Sequence, residues 1–222
     1  MIQLNRRISF AKINGKADTL AARKWGISGF PTIVLLDKNG DEIDRIVGYL
    51  PPAEFLNTVN MYMKGKETLD DYLKRARMSP DSVEPSYKIG EKYEGRSEFE
   101  DAGKYYRMVI DQDPTGQSGL TDDAMNNVGG LAYRQKDFEQ AIGWEEKVIE
   151  QLPESELSED CYLNIPYYYS KWANYQLKNG DPEQAKILKD KSSVMYKQFL
   201  EKFPASEETE WVNGQIKSLE EN

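Results

Sequence analysis

Apolar and polar residues alternate from Ile8 to Ile13 (ISFAKI), and that period of two predicts a strand. The period then changes. Ala17 to Trp25 (ADTLAARKW) gathers Leu20, Ala21 and Trp25 on one helical face, and Gly26 reads as the helix stop. Thr32 to Leu36 (TIVLL) is apolar and rich in β-branched residues, the pattern of a strand buried on both faces. Asp37 to Gly40 (DKNG) is a hairpin turn, with Gly40 free to take the positive φ such turns need. Glu42 to Val47 (EIDRIV) alternates again. Gly48 to Met63 predicts a helix with Pro52 near its first turn and with Phe55, Leu56, Val59 and Met63 facing inward. Residues 1–66 therefore read β-α-β-β-α.

Beyond Thr68 the strand signals stop. Residues 67–82 read as a helical linker, and the remainder repeats itself. Ile89 to Pro114 (IGEKYEGRSEFEDAGKYYRMVIDQDP) aligns without a gap on Val128 to Pro153 (VGGLAYRQKDFEQAIGWEEKVIEQLP). Gly90 falls on Gly129, Phe99 on Phe138, Ala102 on Ala141 and Val109 on Val148. A third unit keeps Trp172 and Ala173, an NGD turn and Ala185. The units are 83–114, 122–153 and 166–204, and the amphipathic segment 207–222 is expected to cap the open end. Two helices per unit, with small residues at Gly90, Ala102, Gly129 and Ala141 where the helices approach closely, resemble tetratricopeptide (TPR) repeats. The spacings from Ala102 to Ala141 and on to Ala185 are 39 and 44 residues, above the usual value of about 34. The surplus falls in the loops near Thr115–Thr121 and Glu154–Asn164, where extra length costs little. The second helix of the third unit also runs about two turns longer, to Pro204.

The N-terminal part resembles the C-terminal half of a thioredoxin domain. Gly29-Phe30-Pro31-Thr32 stands where that family has a glycine, an apolar residue, a proline and a threonine; the DKNG hairpin and Gly48 follow in the family's order. The resemblance implies a cis Phe30–Pro31 bond and a peptide-docking edge of Phe30, Pro31 and Thr32, with Gly48 and Tyr49 nearby. The residue before the proline would offer its backbone to an extended peptide. The family's chemistry needs a C-x-x-C pair at a helix N-terminus, where the helix dipole lowers a thiol pKa. This sequence has one cysteine, Cys161, far downstream. The strand and helix that carry the pair, the strand being central in the family's sheet, have no counterpart before ISFAKI. The expectation is that Met1 is an internal start, with MIQL the tail of the cysteine-bearing helix; the alternative is a partner chain that completes the domain. The fold class expected is an incomplete α/β thioredoxin-like domain followed by an all-α TPR solenoid of about three repeats. That arrangement resembles bacterial thioredoxin-fold proteins with TPR tails.

Composition narrows the chemistry further. With 30% charged residues and a mean hydropathy of -0.74 the surface is wet, while 11% aromatic residues argue against disorder. The absence of histidine excludes imidazole zinc sites, histidine-assisted serine or cysteine nucleophiles and histidine-ligated haem. No catalytic residue, metal site or cofactor is read from the sequence. Residues 1–66 carry a charge of +4 and residues 67–222 one of -13, so nucleic acid is not an expected partner. The longest apolar run, Ile33 to Leu36, is too short to span a membrane. A chain with one cysteine suits an exported or a cytoplasmic setting alike.

Three stretches invite a chemical reading. Cys161 follows Glu159 and Asp160, which raise a thiol pKa, and reads as a free, partly buried cysteine. Asp111 to Asp122 sets Asp111, Asp113, Thr115, Gly116 and Asp122 at calcium-loop offsets, yet Pro114 and Ser118 break that pattern and favour an inter-repeat loop. The aromatic run Tyr162 to Tyr175 places Tyr169 and Trp172 on one packing face, and Tyr168 and Tyr175 on another. Groove residues expected to grip a peptide are Tyr133, Arg134, Tyr167, Asn174 and Lys178. Glu84, Glu91, Glu94 and Asp123 make that surface mostly acidic, which argues against a carboxylate clamp. The expected function is binding of a client protein or peptide. It would serve either a thiol–disulfide oxidoreductase or redox chaperone with cysteines upstream of Met1, or a non-enzymatic interaction scaffold.

Overall fold

A computed structural model describes residues 8, 9, 11–27 and 29–221. Among them the order is α1 (Thr19–Lys24), β1 (Thr32–Leu36), β2 (Glu42–Val47), α2 (Pro52–Met63), α3 (Leu69–Met78) and α4 (Val83–Glu94). There follow α5 (Phe99–Gln112), α6 (Thr121–Arg134), α7 (Phe138–Gln151), α8 (Ser158–Lys178), α9 (Pro182–Lys202) and α10 (Thr209–Glu221). None of these helices is long and apolar enough to cross a membrane. The chain forms two units, residues 1–108 and 109–222. The division between the units falls inside α5.

In the first unit, α1 stops where the glycine predicts. Gly26 takes φ +56, its N–H reaches Arg23 O at 3.1 Å, and the Ile27 N–H reaches Ala22 O at 2.9 Å. Strands β1 and β2 pair antiparallel, Thr32 opposite Val47, with an irregularity between Leu35 and Leu36. Asp37 shapes the turn between them, its Oδ1 accepting from the N–H groups of Asn39 and Asp41 at 2.8 and 2.9 Å. Gly40 supplies φ +89. Ile46, Val59 and Tyr62 form the core of sheet and α2, with Ile8, Ile33, Leu35, Ile43, Leu50, Phe55 and Leu56 around them.

Four expectations fail here. Ile8, Ser9 and residues 11–13 form no strand, although Ile8 packs on the core; Phe10 and MIQL lie outside the described residues. A strand persists only where a neighbour takes up its N–H and C=O groups, and the described sheet is the β1–β2 pair alone. For the same reason TIVLL is half-buried, with Leu36 exposed, and not covered on both faces. Met63 is exposed, and Tyr62 takes the inward place one turn after Val59. Leu20 is exposed as well, because the six-residue α1 buries none of its side chains.

The repeat alignment reappears in backbone geometry. Three first helices end in the same left-handed turn, at Ser97 (φ +60), Lys136 (φ +65) and Gly180 (φ +82). At each, two successive N–H groups return to the last turn: Ser97 and Glu98 to Glu94 and Tyr93, Lys136 and Asp137 to Tyr133 and Ala132, Gly180 and Asp181 to Leu177 and Gln176. Those positions have the 39- and 44-residue spacings of the alanines. Asp137 and Asp181 then cap α7 and α9 by accepting from Gln140 N and Gln184 N at 3.1 and 3.0 Å. The small residues sit where helices meet. A Cβ on Gly90 would stand 2.6 Å from the Tyr106 ring, and one on Gly129 would stand 3.3 Å from Ala141 O.

The third unit starts before residue 166. Helix α8 begins at Ser158, so Pro166 lies inside it, buried, with its carbonyl accepting the Ser192 hydroxyl of α9 at 2.7 Å. Helix α9 spans 21 residues against 14 for α7, the two extra turns expected. Helix α10 packs on α9 through Tyr196, Phe199, Val212 and Ile216.

Candidate functional site

The Phe30–Pro31 bond is cis. Gly48 N–H donates to Pro31 O at 2.8 Å, which extends the β1–β2 ladder by one pair, and Thr32 Oγ1 donates to Gly29 O at 2.8 Å. Since Pro31 and Gly48 are a bonded pair, the alternation of an antiparallel ladder turns the N–H and C=O of Thr32 and Val34 to the opposite edge. Among the described residues the backbone N–H and C=O of Phe30 have no hydrogen-bond partner. Phe30 is 57% exposed, Val47 47% and Tyr49 78%. Pro31 is exposed too, while Thr32 and Gly48 are half-buried. The five residues expected at this edge are thus adjacent: Phe30 and Tyr49 flank the bonded pair Pro31–Gly48 along the chain, and Thr32 stands opposite Val47. Chemically the edge offers donors and acceptors in an extended row with exposed apolar side chains beside it.

Strand β2 carries a second feature that the sequence reading did not single out. Asp44 is wholly buried and accepts four donors: Arg45 N at 2.7 Å, Leu69 N at 2.9 Å, Arg96 Nη2 at 3.0 Å and Lys92 Nζ at 3.0 Å. Arg45 grips Glu42 with two bonds of 2.8 and 2.6 Å and donates to the carbonyls of Trp25 at 2.8 Å and Gly95 at 3.1 Å. Those carbonyls end α1 and α4, where a cation is favoured by the helix dipole. Lys92 Nζ also donates to Tyr62 OH at 2.7 Å. Burial pulls the Lys92 pKa down, and Asp44 works against that pull. The only sequence signal was charge at two consecutive positions of a short strand. A Cβ on Gly95 would touch Val47 at 3.4 Å. The edge formed by Phe30 to Thr32 with Gly48 and Tyr49 therefore shares strand β2 with the contacts that hold α4.

In the second unit, Tyr133 of α6 stacks on Tyr168 at 4.8 Å and meets Tyr167 of α8 at 5.9 Å between ring centroids. Burial and the Tyr167 hydroxyl push the Tyr133 phenol up to about 12. Tyr167 also meets Trp211 of α10 at 6.5 Å and lies under Lys171 at 4.6 Å. Trp211 is a member of this row that the sequence reading missed. The structure brings Tyr133 and Tyr167 together; Arg134, Asn174 and Lys178 are exposed. Tyr168 is core, and Tyr169 stacks on Trp172 as part of the packing against α9. Cys161, in the first turn of α8, is wholly buried; burial first, and Glu145 next, push its thiol pKa up.

Residues 4–62 match a family model described as a thioredoxin-like domain, which covers 59 of the 222 residues. Residues 4–62 thus match a thioredoxin-like domain, and the helices from α4 onward form a helical-repeat region. Two crystal structures of MamA are similar in fold. One shares 15% identity at a TM-score of 0.42, over 78% of this chain and 95% of that one. The other shares 17% at 0.42, over 73% and 87%. No curated protein matches the sequence.

Proposed function

We propose that this chain binds an extended segment of a client protein by strand addition at Phe30, Pro31 and Thr32, with Gly48 and Tyr49 framing the segment. The observation that carries this reading is the outward-turned row of N–H and C=O groups at Thr32 and Val34, next to a Phe30 backbone with no hydrogen-bond partner among the described residues. Exposed Phe30 and Tyr49 would supply side-chain contacts. The test is calorimetric titration of a reduced, S-alkylated unfolded polypeptide into wild type, Phe30→Asp and Tyr49→Asp. Each substitution should weaken binding at least about tenfold, roughly 1.4 kcal/mol, with the melting temperature unchanged. Equal affinity in all three proteins sinks the proposal.

The Tyr133–Tyr167 face is the proposed second contact for a client. Thiol chemistry belongs to this reading only at one remove, since a single cysteine makes no C-x-x-C. As an oxidoreductase or redox chaperone, the protein requires cysteines upstream of Met1; as a scaffold, it only docks peptides. An in-frame C-x-x-C about 15–25 residues before Met1 distinguishes the two. Residues 1–222 alone should not accelerate the reduction of insulin by dithiothreitol.

A further inference from the structure

Glu145 stands in the middle of α7 with its side chain wholly out of water. Its Oε1 accepts two long hydrogen bonds, from Asn164 Nδ2 at 3.4 Å and Tyr168 OH at 3.3 Å, while Oε2 has no partner. Both donors belong to α8, so one carboxyl group joins the second helix of one hairpin to the first helix of the next. Helix α6 closes a third side, where a Cβ on Gly129 would stand 3.4 Å from Oε1.

The groups facing this carboxyl are neutral or acidic. From α8 come the Cys161 thiol, Asn164, Tyr168 and the charge of Asp160. From α6, Asp122 acts on Cys161 and Tyr133 acts on Tyr168. On α7 itself Glu146 and Glu150 are exposed, and Lys147, the nearest cation along the helix, stacks on the Trp144 ring at 3.7 Å. A carboxylate here would have neither water nor a counter-charge.

We propose that Glu145 is a pH-sensitive latch between α7 and α8: its neutral form holds the second and third hairpins together, and loss of its proton loosens that contact. The charged form gains hydration only if the helices part, which uncovers Cys161 and the Tyr133–Tyr168 stack. Burial pushes the Glu145 pKa up to about 7 from 4.5. The closed form thus keeps a proton that the open form has already released, so opening becomes easier as pH rises from 4.5 towards 7 and levels off above.

The test compares the full chain with Glu145→Gln by amide exchange in α7 and α8 at pH 5, 6, 7 and 8, corrected for intrinsic exchange. Relative to the variant, opening in wild type should rise roughly fortyfold between pH 5 and 7 and then level. Parallel profiles in the two proteins overturn the proposal. Titration of the Glu145 carboxyl carbon by NMR in wild type is independent of how the variant folds. A midpoint near neutrality supports the latch, and one in the ordinary carboxylate range removes it.

Discussion

Asp44 on β2 holds Arg96, in the turn after α4, at 3.0 Å across 52 positions of sequence. With Lys92 on its other oxygen, Asp44 pairs with two cations that α4 and its following turn bring against the hairpin, and Glu42 shares Arg96 at 3.1 Å. Removing one member of a buried ionic group strands the others, which typically costs about 3–5 kcal/mol. Asp44→Ala should therefore destabilise the protein by that order, read from the urea midpoint. Asp44→Asn keeps one acceptor oxygen, for either Leu69 N or Arg45 N, and should lose less. Equal loss for the two would mean that charge is not what Asp44 supplies.

Gly26 packs on the same turn. A Cβ at Gly26 would stand 2.4 Å from Arg96 O, and the residue sits at φ +56. The Ser97 hydroxyl donates to Gly26 O at 3.0 Å from the other side. Gly26→Ala has to meet the left-handed penalty and also displace backbone, about 2–4 kcal/mol together. Gly40→Ala is the control: φ is +89, but nothing lies within 4 Å, leaving only the backbone penalty of about 1–2 kcal/mol. Thermal unfolding should rank Gly26→Ala clearly below Gly40→Ala.

These contacts explain what could be read in advance and what could not. Gly26 and Gly40 act locally, so their residue type announced the helix stop and the turn, whereas the cis bond at Pro31 was expected only from the family resemblance. Ala102, Ala141 and Ala185 announced the repeats because close helix packing recurs at fixed offsets. Asp44 and Arg45 are consecutive, so period-two reasoning puts them on opposite faces; that both are buried is decided by α4 and its following turn, some fifty residues on, which that reasoning does not see. The third unit was expected from residue 166, yet α8 already runs from Ser158. At the candidate site, Phe30 to Thr32 with Gly48 and Tyr49 were legible as a motif. The pairing of Tyr133 with Tyr167 was legible only as two separate residues, and Trp211, on another helix, carried no sequence signal that linked it to them.

Tyr196 presents the opposite case, a buried group that stability would gain by losing. Its ring is packed among Phe199, Val212 and Ile216 and meets Trp211 at 5.9 Å, but its hydroxyl is out of water without a partner. An unsatisfied buried hydroxyl costs about 1–3 kcal/mol, and phenylalanine keeps the packing. Tyr196→Phe should raise the denaturation midpoint. Tyr106→Phe, which gives up a 3.0 Å bond to Glu94, should not.

Asp113 links stability to pH in the direction opposite to Glu145. It opens the loop after α5, where Oδ1 accepts from Gln117 N at 3.0 Å and Oδ2 from Ser118 N at 2.7 Å and Thr121 Oγ1 at 3.1 Å. The Ser118 side chain first, then its backbone N–H, holds the Asp113 pKa below the ordinary aspartate range. A carboxyl whose pKa is lower in the folded state stabilises above its unfolded value, and that stability is lost as pH falls through the folded one. Asp113→Ala should lower the melting temperature by about 2–4 °C for each kcal/mol lost at neutral pH. The gap to wild type should hold down to about pH 5 and close in strong acid. Calcium should leave the wild-type transition in place, because N–H and O–H donors already occupy both carboxylate oxygens of Asp113. A calcium-dependent rise in melting temperature would restore the metal-loop reading of this segment.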